Sequence, residues 1–139
     1  MIILSKTHFS ELEAHSLEAF PYECCGGMLG IVDGDKKLVE RLICLSNASD
    51  ENKRRRFKVT QDDYRALEAE ATSLNLTLLG FYHSHPDHPA IPSETDLKYA
   101  WPFFSYIIQS VGKVAVNECR SYVLAETGAH FVEEELTCS

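Results

Sequence analysis

Apolar and polar residues change their spacing along this chain, and each change marks an element. Residues 2–4 (Ile-Ile-Leu) form a short apolar run of the kind that makes a strand. Over residues 5–20 the apolar positions fall at Phe9, Leu12, Leu17 and Phe20 with polar residues between them. That spacing predicts an amphipathic helix, which Pro21 stops. Residues 28–32 and 38–45 are rich in β-forming side chains and flank Asp33-Gly34-Asp35, which predicts a hairpin. A brief strand is expected at 57–59. Thr60 is placed to cap a second helix reaching about residue 74, with Tyr64, Leu67 and Ala71 on one face. Residues 76–82 (LTLLGFY) are almost continuously apolar. A strand that is apolar on both faces has protein on both sides, so this one belongs in the centre of a sheet. Ser93 begins a short helix to about residue 100. Three closing strands are expected at 104–110, 119–124 and 129–136, the last two joined at Glu126-Thr127-Gly128. The sum is an α/β (α+β) chain with a mixed, mainly antiparallel sheet flanked by two main helices and one short helix.

Composition narrows this picture. At 139 residues, 45% hydrophobic and 24% charged, residues 1–139 suit one soluble globular domain with a core of its own. The formal charge of −8 repels phosphate backbones and argues against nucleic acid as partner. The exception is Lys53-Arg54-Arg55-Arg56, read most simply as a solvated loop edge and more sharply as a match for an acidic patch on a partner protein. No apolar run is long enough to span a membrane, and the first residues lack the regions of a signal peptide. Cysteines 24, 25, 44, 119 and 138 are odd in number and unpatterned. That is no disulfide framework, and it fits a reducing cytoplasm.

The candidate chemistry sits at 83–96, HSHPDHPAIPSETD. Side chains two apart in a strand share a face, so His83 and His85 project together with Ser84 opposed. Imidazoles on a rigid element are good zinc ligands, but two are not enough. Pro86, Pro89 and Pro92 stiffen the following loop, and Asp96 lies in the first turn of the helix that Ser93 begins, from where it can swing back. Two histidines, a carboxylate and an open position make the pattern of a catalytic zinc. The plain alternatives are a polar loop entrance for the histidines and an ordinary capping box for Ser93-x-x-Asp96. Asp87 and His88 compete as ligands from within the loop. A hydrolase also needs a proton acceptor, and the spacing His83-x-His85 leaves no room for the glutamate of a helical HExxH motif. Glu23, in PYECCGGMLG, is the best candidate, although composition alone makes it an exposed loop acid. Cys24 and Cys25 offer a competing closed Cys/His site.

The order Glu23, His83-x-His85, Ser93, Asp96 resembles the motif of the JAMM (MPN+) metalloprotease family. Pro21-Tyr22-Glu23-Cys24-Cys25-Gly26 and Arg55-Arg56-Phe57 are similar to flanking stretches of that family, and the element order agrees over nearly the whole chain. The resemblance implies a cytidine-deaminase-like fold and one Zn²⁺ held by His83, His85 and Asp96. It also implies Glu23 as general base and later acid, and Ser93 as donor to the oxyanion. The compact chain looks like the short prokaryotic members, which implies a peptidase or isopeptidase acting beside the Gly-Gly tail of a small ubiquitin-like sulfur-carrier protein. The tail would bind at a strand edge by β-augmentation. Homodimerisation stays open. The competing readings are a non-enzymatic MPN-type scaffold, a RadC-type protein, which the acidic charge disfavours, and a peptidase on cell-wall or other peptides.

Overall fold

A computed structural model describes residues 1–45 and 59–139. Strand β1 (Ile2–Leu4) leads into α1 (Lys6–Ala19), whose N-cap Ser5 accepts the His8 N–H at 3.0 Å. Strands β2 (Cys25–Asp33) and β3 (Lys36–Leu45) form the expected hairpin. Helix α2 (Gln61–Ser73) opens with a reciprocal capping box between Thr60 and Asp63, two contacts of 3.1 Å. Then follow β4 (Thr77–Pro86), the short α3 (Glu94–Lys98), β5 (Ser105–Val111), β6 (Val116–Leu124), β7 (Phe131–Glu134) and β8 (Leu136–Cys138). The basic run at 53–56, the Arg55-Arg56-Phe57 stretch and most of the strand expected at 57–59 lie outside the described residues; Val59 itself is not in a strand.

The eight strands of the described residues join one sheet in the order β7-β6-β5-β4-β2-β3-β1-β8. Four neighbouring pairs are antiparallel, while β1 runs parallel to β3 and β8, and β4 runs parallel to β5. The sheet is thus mixed and mainly antiparallel, as expected. Helix α1 covers one face, burying Leu12 against Ile2, Leu4, Met28, Leu79 and Tyr82. Helix α2 covers the other, burying Leu67 and Ala71 against Leu29, Leu78, Phe81 and Phe104. Among the described residues no helix is long and apolar enough to cross a membrane.

Three departures from the sequence reading have physical reasons. The single closing strand expected at 129–136 is two strands on opposite edges of the sheet, separated by Glu135. Three successive glutamates, 133–135, break the alternation there, and the Glu135 carbonyl already accepts the N–H of Ile2 at 2.9 Å. Strand β2 begins at Cys25 rather than 28. The Gly26-Gly27 pair that reads as loop is needed in the strand, because a Cβ on Gly26 would stand 2.3 Å from the phenol of Tyr82. Strand β4 is longer than expected at its far end and carries His83 and His85 within it, nearly all of it buried.

A bulge sets the phase of β4. Met28 pairs with Gly80 and Leu29 with Leu78, which makes Leu79 the extra residue. The slip puts Phe81 with Leu78 on the α2 face, and Phe81, His83 and His85 then follow each other along that face. Gly80 makes the bulge possible: its φ is +157°, and a Cβ there would stand 1.9 Å from the carbonyl oxygen of Ser105. Gly80→Ala is therefore expected to cost about 3 kcal/mol or more, since a backbone atom cannot yield as a side-chain tip can. The urea midpoint of the variant checks this; an unchanged midpoint would show that the bulge relaxes without cost.

Candidate metal centre

His83 and His85 end the most buried strand of the sheet, with β2 on one side and β5 on the other. Ser84, pointing the other way, accepts the N–H of Cys24 on its Oγ at 2.9 Å and donates its own N–H to the Cys24 carbonyl at 3.1 Å. The pairing of Cys25 with His83 therefore runs on one residue further, and the next residue on the β2 side is Glu23. That register sets the buried Glu23 beside His85.

The carboxylate arrives from α3. Asp96 Oδ2 accepts the Ser93 N–H at 2.8 Å and the Ser93 Oγ accepts the Asp96 N–H at 3.0 Å, a complete capping box. The same carboxylate lies 3.2 Å from His83 Nε2 through Oδ1 and 3.3 Å from His85 Nε2 through Oδ2. The two Nε2 atoms are 3.0 Å apart. The capping bonds and the approach to both histidines, which the sequence allowed together, are made by one side chain. A zinc ion bonded at about 2.0–2.1 Å in a tetrahedron has ligand–ligand edges of roughly 3.3 Å. The contacts of His83, His85 and Asp96 are close to that edge, the two to Asp96 falling on its two oxygens, and one donor atom from each residue lies within 4.8 Å of the others, so these residues fit the ion.

Electrostatics agree with a site built for a cation. Burial opposes ionisation of Asp96, but His83 and the hydrogen bonds from both histidines and Ser93 outweigh it, holding the carboxyl well below its ordinary range. Burial lowers His83. It also works against protonation of His85, yet the bonds to Asp96 and to the Pro89 carbonyl, 3.0 Å from Nδ1, raise it overall. Burial pushes Glu23 up to about 8, a shift that His85 opposes and Asp96 reinforces. Such a carboxyl holds a proton at neutral pH in a way an exposed loop acid does not.

The other candidates fall elsewhere. Asp87 and His88 are exposed and stand outside the donor group formed by His83, His85 and Asp96. Cys24 Sγ lies 3.7 Å from Ser16 Oγ on the α1 side, and Cys25 Sγ is directed to the Leu45 carbonyl; all five cysteines are free thiols. The closed Cys/His site is therefore not formed. A feature the sequence reading missed is a groove of about 690 Å³ that opens from His83 and Asp96 and is walled by Tyr64, Phe81, Tyr99, Trp101 and Tyr106. Its one sequence signal was Trp101, the sole tryptophan, standing in a loop.

Residues 5–125 match the family model described as prokaryotic homologs of the JAB domain. The chain is 32% identical over 100 residues to a protein of Haloferax volcanii named desampylase, an alignment covering 70% of each. A protein of Desulfitobacterium hafniense, solved in solution, superposes with a TM-score of 0.86 at 33% identity, covering 100% of this chain and 93% of that one. A JAB1/MPN domain protein from Archaeoglobus fulgidus superposes with a TM-score of 0.62 at 22% identity, covering 100% and 97%, a likeness of fold.

Proposed function

This chain belongs to the family of prokaryotic homologs of the JAB domain, and on that premise we propose that it is a zinc-dependent peptidase. Its substrate in this reading is the amide bond after the Gly-Gly end of a small ubiquitin-like sulfur-carrier protein. The observation that carries the reading is the donor triangle of His83, His85 and Asp96 with buried Glu23 beside it. Similarity to the desampylase supports an isopeptidase acting on ubiquitin-like modifiers. The non-enzymatic scaffold is disfavoured because every position of the motif is filled and the donors converge.

Zinc held by the two histidines and Asp96 would supply a Lewis acid that makes a water acidic enough to yield hydroxide near pH 7. In its carboxylate form, which a cation held by the two histidines and Asp96 would favour, Glu23 accepts the proton and later gives it to the leaving amine. Ser93 uses an oxygen lone pair to cap α3, so its hydroxyl hydrogen is left for the developing oxyanion. β4 is paired with β2 as far as His83 and with β5 as far as Pro86, so a tail adding as a strand would use another edge. The aromatic groove opening from His83 and Asp96 offers the tail another path.

Mass spectrometry of a purified carrier bearing residues beyond its Gly-Gly tests the proposal. Zinc-loaded protein is expected to remove those residues, and chelator-stripped protein to leave the carrier intact. A carrier left whole by the zinc-loaded protein rejects this substrate. Equal cleavage of unrelated unfolded peptides would favour a general peptidase.

A further inference from the structure

The loop between β4 and α3 is held in part by side chains that come from neither element. His85 on β4 pairs with Ser110 on β5, and Ser110 pairs with Glu118 on β6, so three residues stand in one row across the sheet. In-register partners share a face, and two strand spacings separate the first from the last, about 10 Å. His85 and Glu118 are too far apart to touch, and the loop bridges the gap above Ser110. Ser110 Oγ donates to the His88 carbonyl. The Ala90 N–H donates to Glu118 Oε1 at 3.2 Å, and Tyr122 Oη donates to the Ala90 carbonyl at 2.6 Å. Ala90 itself is fully buried.

The Ala90 N–H and the Pro89 carbonyl belong to one peptide unit. That carbonyl faces His85 Nδ1 at 3.0 Å, so one rigid plane is gripped by a carboxylate at one end and by the imidazole at the other. We propose that Glu118, acting through the Pro89–Ala90 peptide, is a positioning residue for His85, an inference that rests on the reading of His85 as a metal ligand. A carboxylate on the N–H polarises the peptide and makes its carbonyl a stronger acceptor. The carbonyl thereby fixes the hydrogen on Nδ1, orients the ring and leaves a more basic Nε2 towards Asp96. Arg120 keeps the carboxylate in place: its Nη2 lies 2.9 Å from Glu118 Oε2, while its Nη1 is anchored on Glu133 at 3.0 and 3.1 Å. Histidine ligands elsewhere rest directly on a carboxylate or a carbonyl; here the carboxylate acts one peptide away.

Glu118→Ala, Glu118→Gln and Tyr122→Phe test this in the full chain, with three measurements on each. Zinc affinity is read by competition with a chromophoric chelator, the His85 Nδ1–H by proton–nitrogen NMR of metal-free protein, and folding by thermal unfolding. Glu118→Ala is expected to weaken zinc binding about ten-fold. The same variant should move the Nδ1–H resonance upfield with faster exchange. Glu118→Gln, which keeps an acceptor for Ala90 but not the charge, should recover part of both, and Tyr122→Phe should show the smaller effect. Unchanged zinc affinity together with an unmoved His85 resonance overturns the inference, whatever the melting temperature does. A wild type that binds no zinc, with a resonance that still moves in Glu118→Ala, would reject the metalloprotease reading while keeping the positioning role.

Discussion

Replacing Glu23 by glutamine is expected to slow hydrolysis by about 10²–10⁴-fold, the usual worth of a general acid–base, while zinc stays bound. The same change should make the metal-free protein harder to unfold at alkaline pH. Burial raises the Glu23 carboxyl from 4.5 to about 8. Between those values the folded chain keeps a proton that the unfolded chain releases, so this group's contribution to stability is complete below about pH 4.5. It is then lost as pH rises towards 8, at up to about 1.4 kcal/mol per pH unit. Glutamine carries no such proton. The stability gap between variant and wild type should widen from near zero at pH 5 to a few kcal/mol at pH 8. Urea unfolding of chelator-stripped proteins at both pH values measures it. A gap that does not grow with pH, or a variant as active as wild type, would remove Glu23 from the mechanism.

Asp96 carries more than any other single side chain of the site, and two substitutions divide its duties. Asp96→Ala removes the reciprocal half of the α3 capping box, worth on the order of 1 kcal/mol, together with the partner of both histidines. Asp96→Asn keeps an oxygen for the Ser93 N–H and gives up only the charge. Both should lose zinc well beyond the ten- to hundred-fold cost of losing an outer partner of a ligand. Only the alanine variant should also show the loss of the bond to the Ser93 N–H in the unfolding of the metal-free protein. The charge contributes with its own pH signature. Asp96 is depressed, so its contribution is present above about 3.8 and lost in acid; His85 is raised, so its contribution is lost as pH climbs past its folded pKa. The deficit of Asp96→Asn should therefore be largest in the mildly acidic range between them. Isothermal titration with zinc and unfolding at pH 3, 5 and 8 report both quantities. An Asp96→Asn protein that binds zinc as wild type does would show that the carboxylate only caps the helix.

What could be read from the sequence was whatever depends on local spacing. The central strand announced itself by its unbroken apolar run, and strand alternation chose His83 and His85 over His88. Ser93-x-x-Asp96 declared its helix start and, through it, the direction from which a carboxylate would come. Glu23 was different. Nothing near it in the chain reports its burial, which follows from β2 pairing with β4 some sixty positions away; only the family resemblance promoted it. The groove aromatics come from α2, β4, β5 and the segment after α3, so no single window of sequence shows them together. Glu118 was the least legible, since it sits one position before the strand expected at 119–124 and acts through a peptide belonging to another loop. The split at Glu135 failed for the same reason: periodicity describes a strand, but it does not say which neighbour the strand will choose.

The order of the sheet bears on how the chain reaches its native state. β1 lies between β3 and β8, and its pairing with β8 joins Ile2 to Leu136 and Leu4 to Cys138. The hairpin of β2 and β3 and the antiparallel run of β5, β6 and β7 are local and can assemble early, whereas this parallel contact closes the longest loop the chain contains. On a ribosome, therefore, His83, His85 and Asp96 emerge and can find one another before the sheet acquires its last strand. The His-His-Asp group can thus assemble ahead of the seam that completes the fold around it.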